Sequence, residues 1–117
     1  MKKVKVSCFC EEAPKDILWF TVEMNENNYV LYSTENDDSF GSGRVFYESL
    51  NRWHSFNLYW LDDGSAGLDW IDCNDPSAEI DILDRRLVIG EAITFTEQGE
   101  KYVYSITEML MVNDEPA

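Results

Sequence analysis

Short runs of β-forming residues, separated by polar turns, constrain the fold of this chain more than any other feature. In residues 3–10, Val4, Val6, Cys8 and Cys10 alternate with mostly polar residues. Because successive side chains of a strand point to opposite faces, this pattern predicts a strand with one buried face. The thiols of Cys8 and Cys10 are therefore expected to be buried and reduced.

The clearest turn in the sequence is Asp63-Gly64, which lies between two apolar runs in residues 55–72. An Asp-Gly pair favours the type I′ turn of a two-residue hairpin. The register that follows gives four cross-strand pairs: Tyr59 with Leu68, Leu61 with Ala66, Phe56 with Ile71, and Trp60 with Gly67. Both faces of this hairpin are largely apolar, so both are expected to be covered.

Two further hairpins are predicted from their turn residues. Residues 17–24 and 29–33 are rich in β-formers, and the Asn-rich segment 25–28 suits a turn because Asn tolerates left-handed backbone conformations. Residues 91–106 alternate on both sides of a Gln-Gly pair at 98–99. One face of that hairpin is expected to be core and the other mostly solvent.

Two segments carry helical signals. In residues 45–53, Phe46, Leu50 and Trp53 recur at helical spacing, which predicts a short helix. Residues 74–90 fit a helix by their apolar spacing, but their β-branched residues equally favour a strand, a tight turn and a second strand. Residues 34–43, rich in acids, Ser and Gly, are predicted to be a loop.

These elements predict one domain over residues 1–112 and a frayed tail over 113–117. The expected class is mainly β, with α+β as a possibility. The expected architecture is an antiparallel sheet, as a sandwich or a partly open barrel, with one or two short helices. No targeting or membrane-spanning stretch is recognisable, so a cytoplasmic location is expected.

The charge of the chain restricts its partners. Nine Lys and Arg face 23 Asp and Glu, which gives a net charge of −14. Such a surface repels nucleic acid phosphates and anionic membranes, so neither is expected as a direct partner. It attracts basic proteins and raises their rate of encounter. Alternatively, the charge serves only to keep the domain in solution.

The sequence contains no recognisable catalytic set, and we expect a protein that is not an enzyme. His54 is the only His, so a catalytic triad lacks a matched nucleophile. Cys8, Cys10, His54 and Cys73 form a conceivable zinc set, but the Cys-x-Cys spacing is too short and its thiols lie on a predicted core strand. No metal and no cofactor are therefore expected.

One stretch stands out as a candidate binding surface. Residues 62–84 hold eight acids and no base, with Trp70 among them. Carboxylates beside an aromatic side chain suit an interface that neutralises a basic protein and buries an anchor. The residues predicted to bind a partner are Asp62, Asp63, Asp69, Trp70, Asp72 and Asp75. For Trp70 alone, an ordinary place in the core is the competing interpretation.

The leading functional hypothesis is an acidic inhibitor of a cationic protein, such as the immunity protein that protects a bacterium from its own nuclease toxin. The similarity to such proteins is one of composition, without a family motif. One alternative is a small structural or self-associating β domain, since the aromatic content can exceed what one core buries. A carboxylate-based enzyme is a third alternative. The partner's identity, the strand order and the oligomeric state stay open at this point.

Overall fold

The computed structural model describes residues 2–35, 38–62, 64–71 and 77–112. Antiparallel strands follow one another in chain order around a closed barrel, in which the last strand pairs with the first. They are β1 (Lys2–Phe9), β2 (Ile17–Met24), β3 (Ser39–Tyr47), β4 (Arg52–Asp62), β5 (Ser65–Trp70), β6 (Ala78–Ile80), β7 (Ala92–Glu97) and β8 (Glu100–Met111). The predicted mainly β, antiparallel class is confirmed, and of the two architectures considered the sheet adopts a barrel, fully closed.

The core lies inside the barrel, because alternate residues of each strand point inward. On β1 the buried residues are Val4, Val6 and Cys8, and Cys10 continues the series just beyond the strand. This alternation confirms the prediction for residues 3–10. The hairpin formed by β7 and β8 turns at 98–99, as predicted, with left-handed backbone at both positions.

Glycine on β3 makes room for aromatic rings in the interior. Gly43 pairs with Phe20 on one side and with Phe56 on the other. A Cβ atom on Gly43 would lie 2.7 Å from the Phe56 ring and 2.8 Å from the Phe20 Cα, so only glycine fits. The prediction of a loop over residues 34–43 is therefore wrong from position 39 onward, because these small residues serve strand packing and not chain flexibility.

The hairpin of β4 and β5 reverses at the predicted place but has a different register. Asp62 pairs with Ser65, and a β-bulge follows between Trp60 and Asp62. The extra residue shifts every later pair by one position, so Trp60 lies opposite Ala66. The four predicted pairs are therefore wrong.

With the shifted register, the two faces of this hairpin differ in burial. Phe56 and Leu58 are fully buried inside the barrel, next to the buried Leu68. The outward side chains of β4 are only half-buried, so the expectation that both faces are covered is wrong as well.

Residues 2–35, 38–62, 64–71 and 77–112 contain no helix, so the predicted helix over 45–53 is wrong. Phe46 and Trp53 are instead cross-strand partners on β3 and β4, with ring centroids 5.3 Å apart. Leu50 lies in the turn between them and is 58% exposed. A hairpin with a four-residue turn thus reproduced the spacing of a helical face. For the described part of 74–90, the strand β6 and an irregular segment replace the helical alternative.

Two segments close one end of the barrel. The turn predicted at 25–28 is present, but the chain beyond it contributes only isolated bridges at Tyr29 and Val30. Asn28 and Leu87 exchange two hydrogen bonds, of 3.0 Å from the Leu87 amide and 3.1 Å from the Asn28 side chain. Together with the buried residues Ile82 and Leu83, these contacts seal the end where β2 finishes and β7 begins.

The described residues contain no helix that is long and apolar enough to cross a membrane. The predicted tail at 113–117 lies outside the described residues.

We expect Gly43→Ala to destabilise the protein by about 1–3 kcal/mol, because the added methyl group overpacks the interior between Phe20 and Phe56. Urea denaturation followed by tryptophan fluorescence measures the change. Ser42→Ala is the matched control, since Ser42 is exposed on the same strand and should change stability by less than about 0.5 kcal/mol. Equal stability of the two variants would contradict the packing assigned to β3.

Candidate functional site

The predicted partner-binding residues occupy one side of the barrel where the structure describes them. Asp62 is exposed at the end of β4, and Asp69 is exposed near the end of β5. Asp63, Asp72 and Asp75 lie outside the described residues, as does Cys73.

Trp70 is partly buried and contacts the core. Its ring meets the Phe56 ring edge-on, with centroids 5.7 Å apart, and the His54 ring at 6.0 Å. The Trp70 ring therefore packs against the core at the end of the barrel where β4 begins and β5 finishes. Only the exposed part of the Trp70 side chain is available to a partner.

A shallow groove runs along the short strand β6 on the same side. Tyr59 lies across Gly67, where a Cβ atom would collide with the tyrosine ring, and Glu79 is the partner of Gly67 on the other side. The groove has a volume of about 310 Å³, and Tyr59, Leu61 and Glu79 are among its lining residues. Tyr59 and Glu79 are not among the residues predicted to bind a partner. For Tyr59 the reason is that no sequence pattern indicates the β-bulge that sets it opposite Gly67.

Charged residues within the strands are distributed unequally around the barrel, although β2 carries Glu23 and the segment between β6 and β7 carries Arg85 and Arg86. In the closed order of strands, β1–β3 lie across the barrel from β5–β7. Strands β5, β6 and β7 carry Asp69, Glu79 and Glu97 and no Lys or Arg within their bounds. Strands β1 and β3 carry Lys2, Lys3, Lys5 and Arg44 and no Asp or Glu within theirs. We call the side formed by Asp62, Asp69 and Glu79 the acidic face; Glu97 alternates with the inward residues Ile93 and Phe95 of β7 and is not part of it.

The end of the barrel opposite the closed one contains a cavity of about 410 Å³. It opens between the turns that follow β1, β3 and β7. Its lining combines aromatic rings, two carboxylates and short polar or apolar loop residues: Ala13, Asp16, Tyr47, Ser49, Leu50, Phe95, Glu97, Gln98, Tyr102 and Tyr104. We call this space the end cavity.

Hydrogen bonds position the polar groups of the end cavity. The Tyr47 hydroxyl donates to Glu97 Oε1 at 3.4 Å, and Asp16 Oδ1 accepts from the Glu48 amide at 2.9 Å. Phe95 and Tyr104 are buried, and their rings meet edge-on with centroids 6.0 Å apart. The two carboxylates thus lie on different strands or turns and face the same aromatic space.

Carboxylates influence the phenols of the end cavity. The pKa of the Tyr104 phenol is raised above its usual range, chiefly by burial and also by Coulombic repulsion from groups that include Asp16 and Glu97. The hydrogen bond to Glu100, followed by burial and nearby carboxylates, raises the pKa of Tyr102 as well. Carboxylates therefore lie near both phenols at this end of the barrel.

The cysteines and the histidine are placed as interior residues. Cys8 and Cys10 are buried free thiols, which confirms the predicted burial, and His54 is 3% exposed between the rings of Tyr47 and Trp70. Burial raises the pKa of the Cys8 thiol to about 12. Within the described parts of the chain, no group of three or more His, Cys, Asp or Glu side chains is arranged to hold a metal ion.

Comparisons with protein families, with curated proteins and with solved structures found no match to this chain.

We expect Cys8 and Cys10 to react slowly with an aromatic disulfide reagent at pH 8, because the thiolate is the reactive form and Cys8 titrates near 12. The measurement uses a Cys73→Ser background, so that only these two thiols are counted. Labelling of Cys8 in the native protein should be slower by at least about a hundredfold than labelling in urea, since its raised pKa lowers the thiolate fraction and burial blocks access. Labelling of Cys10 should be slowed by its burial. Rapid native labelling of both thiols would refute their interior position.

Proposed function

We propose that this protein binds a basic protein partner through its acidic face and inhibits it without catalysis. The form we propose is an immunity protein that neutralises a cationic, nuclease-type bacterial toxin in the cytoplasm of the cell that makes it. The observation that carries the proposal is the unequal distribution of charge around the barrel. Acids occupy β5–β7 and bases occupy β1 and β3.

This distribution supports a directed association more strongly than net charge alone does. A uniform surface charge of −14 attracts any cation from every side. A charge that is concentrated on one side orients a basic partner before contact, because unlike surfaces approach and like surfaces are repelled. The acidic face then forms the first contact, and the groove beside Tyr59 offers an aromatic surface to bury.

The acidic face also suits a nuclease as the partner. A nuclease binds its substrate through basic groups that contact phosphates. Carboxylates placed on those same groups compete with nucleic acid for them. A rigid barrel holds Asp62, Asp69 and Glu79 in fixed positions, which lowers the entropy cost of binding.

We expect association with the partner to be fast at low salt and to slow steeply as salt rises, since the Debye length falls from about 30 Å at 0.01 M to about 3 Å at 1 M. Affinity capture from the native cell identifies the partner, and stopped-flow mixing of the purified proteins measures the association rate. Asp62→Asn, Asp69→Asn and Glu79→Gln combined should slow association by about tenfold or more at low salt.

The control combines Glu23→Gln, Glu26→Gln and Glu108→Gln, which removes the same charge away from the acidic face and should slow association by about twofold at most. The captured partner should be basic, and its nuclease activity should be lost in the complex. The proposal would be refuted if the partner were acidic. It would also be refuted if the association rate changed neither with salt nor with the acidic-face substitutions.

Self-association is a second candidate function, favoured by an aromatic patch on the outside of β2–β4. Trp19, Phe46 and Trp53 are partly buried outward residues, and Ile17 beside them is 44% exposed. Lys5 lies over the Trp19 ring at 4.6 Å, and Arg44 lies over the Trp53 ring at 4.9 Å. This basic and aromatic surface is complementary in charge to the acidic face of a second copy.

If this patch mediates self-association, the 13.6 kDa chain should have a larger mass at low salt by light scattering, and Trp53→Ser should restore the monomer. Trp53 supplies ring area and supports Arg44, so its loss removes both contributions. Val103→Ser is the control, since Val103 is exposed on β8 outside the patch. A monomeric native protein across salt concentrations would remove this candidate.

A further inference from the structure

We infer that the end cavity is a binding site for an organic cation, of the alkylammonium or guanidinium class. The site does not include Asp62, Asp69 or Glu79, and its chemistry comes from aromatic rings and carboxylates that line one partly open space.

The end cavity is where a closed barrel of this size can admit a ligand. An eight-stranded barrel has an interior about as wide as the side chains that fill it. Phe20, Phe56 and Phe95 are fully or almost fully buried and occupy the middle of this one. The other end is sealed by the contacts of residues 25–35 with 81–91, including the Tyr32 hydroxyl bond to Asp84 at 2.7 Å.

The lining of the end cavity selects for positive charge. Tyr47, Tyr102 and Tyr104 present aromatic rings, whose faces are electron-rich and attract cations. Asp16 and Glu97 add two carboxylates, and none of the described residues that line the cavity is Lys or Arg. Both carboxylates would repel an anion, whereas the carboxylates and the aromatic rings would attract a cation.

The size and depth of the cavity suit an organic cation better than a metal ion. Its volume of about 410 Å³ lies within the range of roughly 300–1,000 Å³ that is usual for small-molecule sites. The partly exposed rings of Tyr47 and Tyr102 give it aromatic surface, which a hydrated metal ion cannot use. In a ligand with an alkyl chain that ends in an ammonium or guanidinium group, the chain can pack against the aromatic rings and the charged group can contact the carboxylates.

The position of the end cavity connects it with the acidic face. Gln98 lines both the end cavity and the groove beside β6, so the two spaces meet at the turn between β7 and β8. A Lys or Arg side chain of a protein docked on the acidic face is therefore one source of the cation. A free amine is the other source, and it needs no docked protein.

The test is a titration of the 15N-labelled full chain, followed by backbone amide chemical shifts. N-acetyl-lysine methylamide and N-acetyl-arginine methylamide represent protein side chains, and spermidine and tetramethylammonium represent free amines. N-acetyl-norleucine methylamide is the neutral control. Saturable shifts should appear at Leu50 and Gln98, with Gly64 at the closed end unchanged. The neutral control should bind at least about tenfold more weakly, because it lacks the charge that the carboxylates and rings compensate.

Glu97→Gln is the matched variant, since it keeps the shape of the side chain and removes its charge. It should weaken the binding of the cations by about tenfold, and Glu108→Gln, on the outside of β8, should leave it unchanged. Stronger binding of the side-chain analogues points to a protein partner, and stronger binding of the free amines points to a small molecule.

Equal binding of the charged and neutral probes would overturn the inference, and so would the absence of saturable shifts at the end cavity. Both comparisons use the unmodified protein, so they hold even if a variant fails to fold. Because the probes are small molecules, failure here leaves the partner proposed for the acidic face untouched, and the absence of that partner leaves this site intact.

Discussion

The closure of the sheet is the constraint on which the rest of the structure depends. Eight strands that close on themselves remove every exposed sheet edge and leave an interior that side chains must fill without overlap. Here three buried phenylalanines occupy part of the interior, and Gly43 on β3 leaves space for the Phe56 ring. With the interior filled in this way, ligands are left to the outer faces and to the open end, where both candidate sites lie.

The parts of the fold that follow from the sequence are those in which local signals suffice. The β7–β8 hairpin was predicted because alternation and a Gln-Gly turn agree, and both act between near neighbours. The loop assigned to 34–43 and the helix assigned to 45–53 failed for a common reason. Gly43 and the Phe46–Trp53 pair have roles that depend on strands formed elsewhere in the chain.

The candidate sites show the same limit. The acid-rich stretch that holds Asp62 and Asp69 is visible in the sequence, and these two residues do lie on one side of the barrel. The role of Tyr59 depends on a bulge, and a bulge of one residue reverses which side chains face outward. Asp16 and Tyr104 both line the end cavity, and they come together only when β8 pairs with β1. No local sequence pattern therefore predicts this cavity.

Rigidity and charge work together in this architecture. Each strand is hydrogen-bonded on both sides, so charges fixed to β5, β6 and β7 keep their spacing when a partner approaches. A flexible acidic segment of equal charge would attract a basic partner equally well, but it would lose conformational entropy on binding. A closed barrel that holds Asp69 and Glu79 on neighbouring strands therefore suits selective recognition, in which long-range attraction brings the partner close and a pre-formed surface determines how long it stays bound.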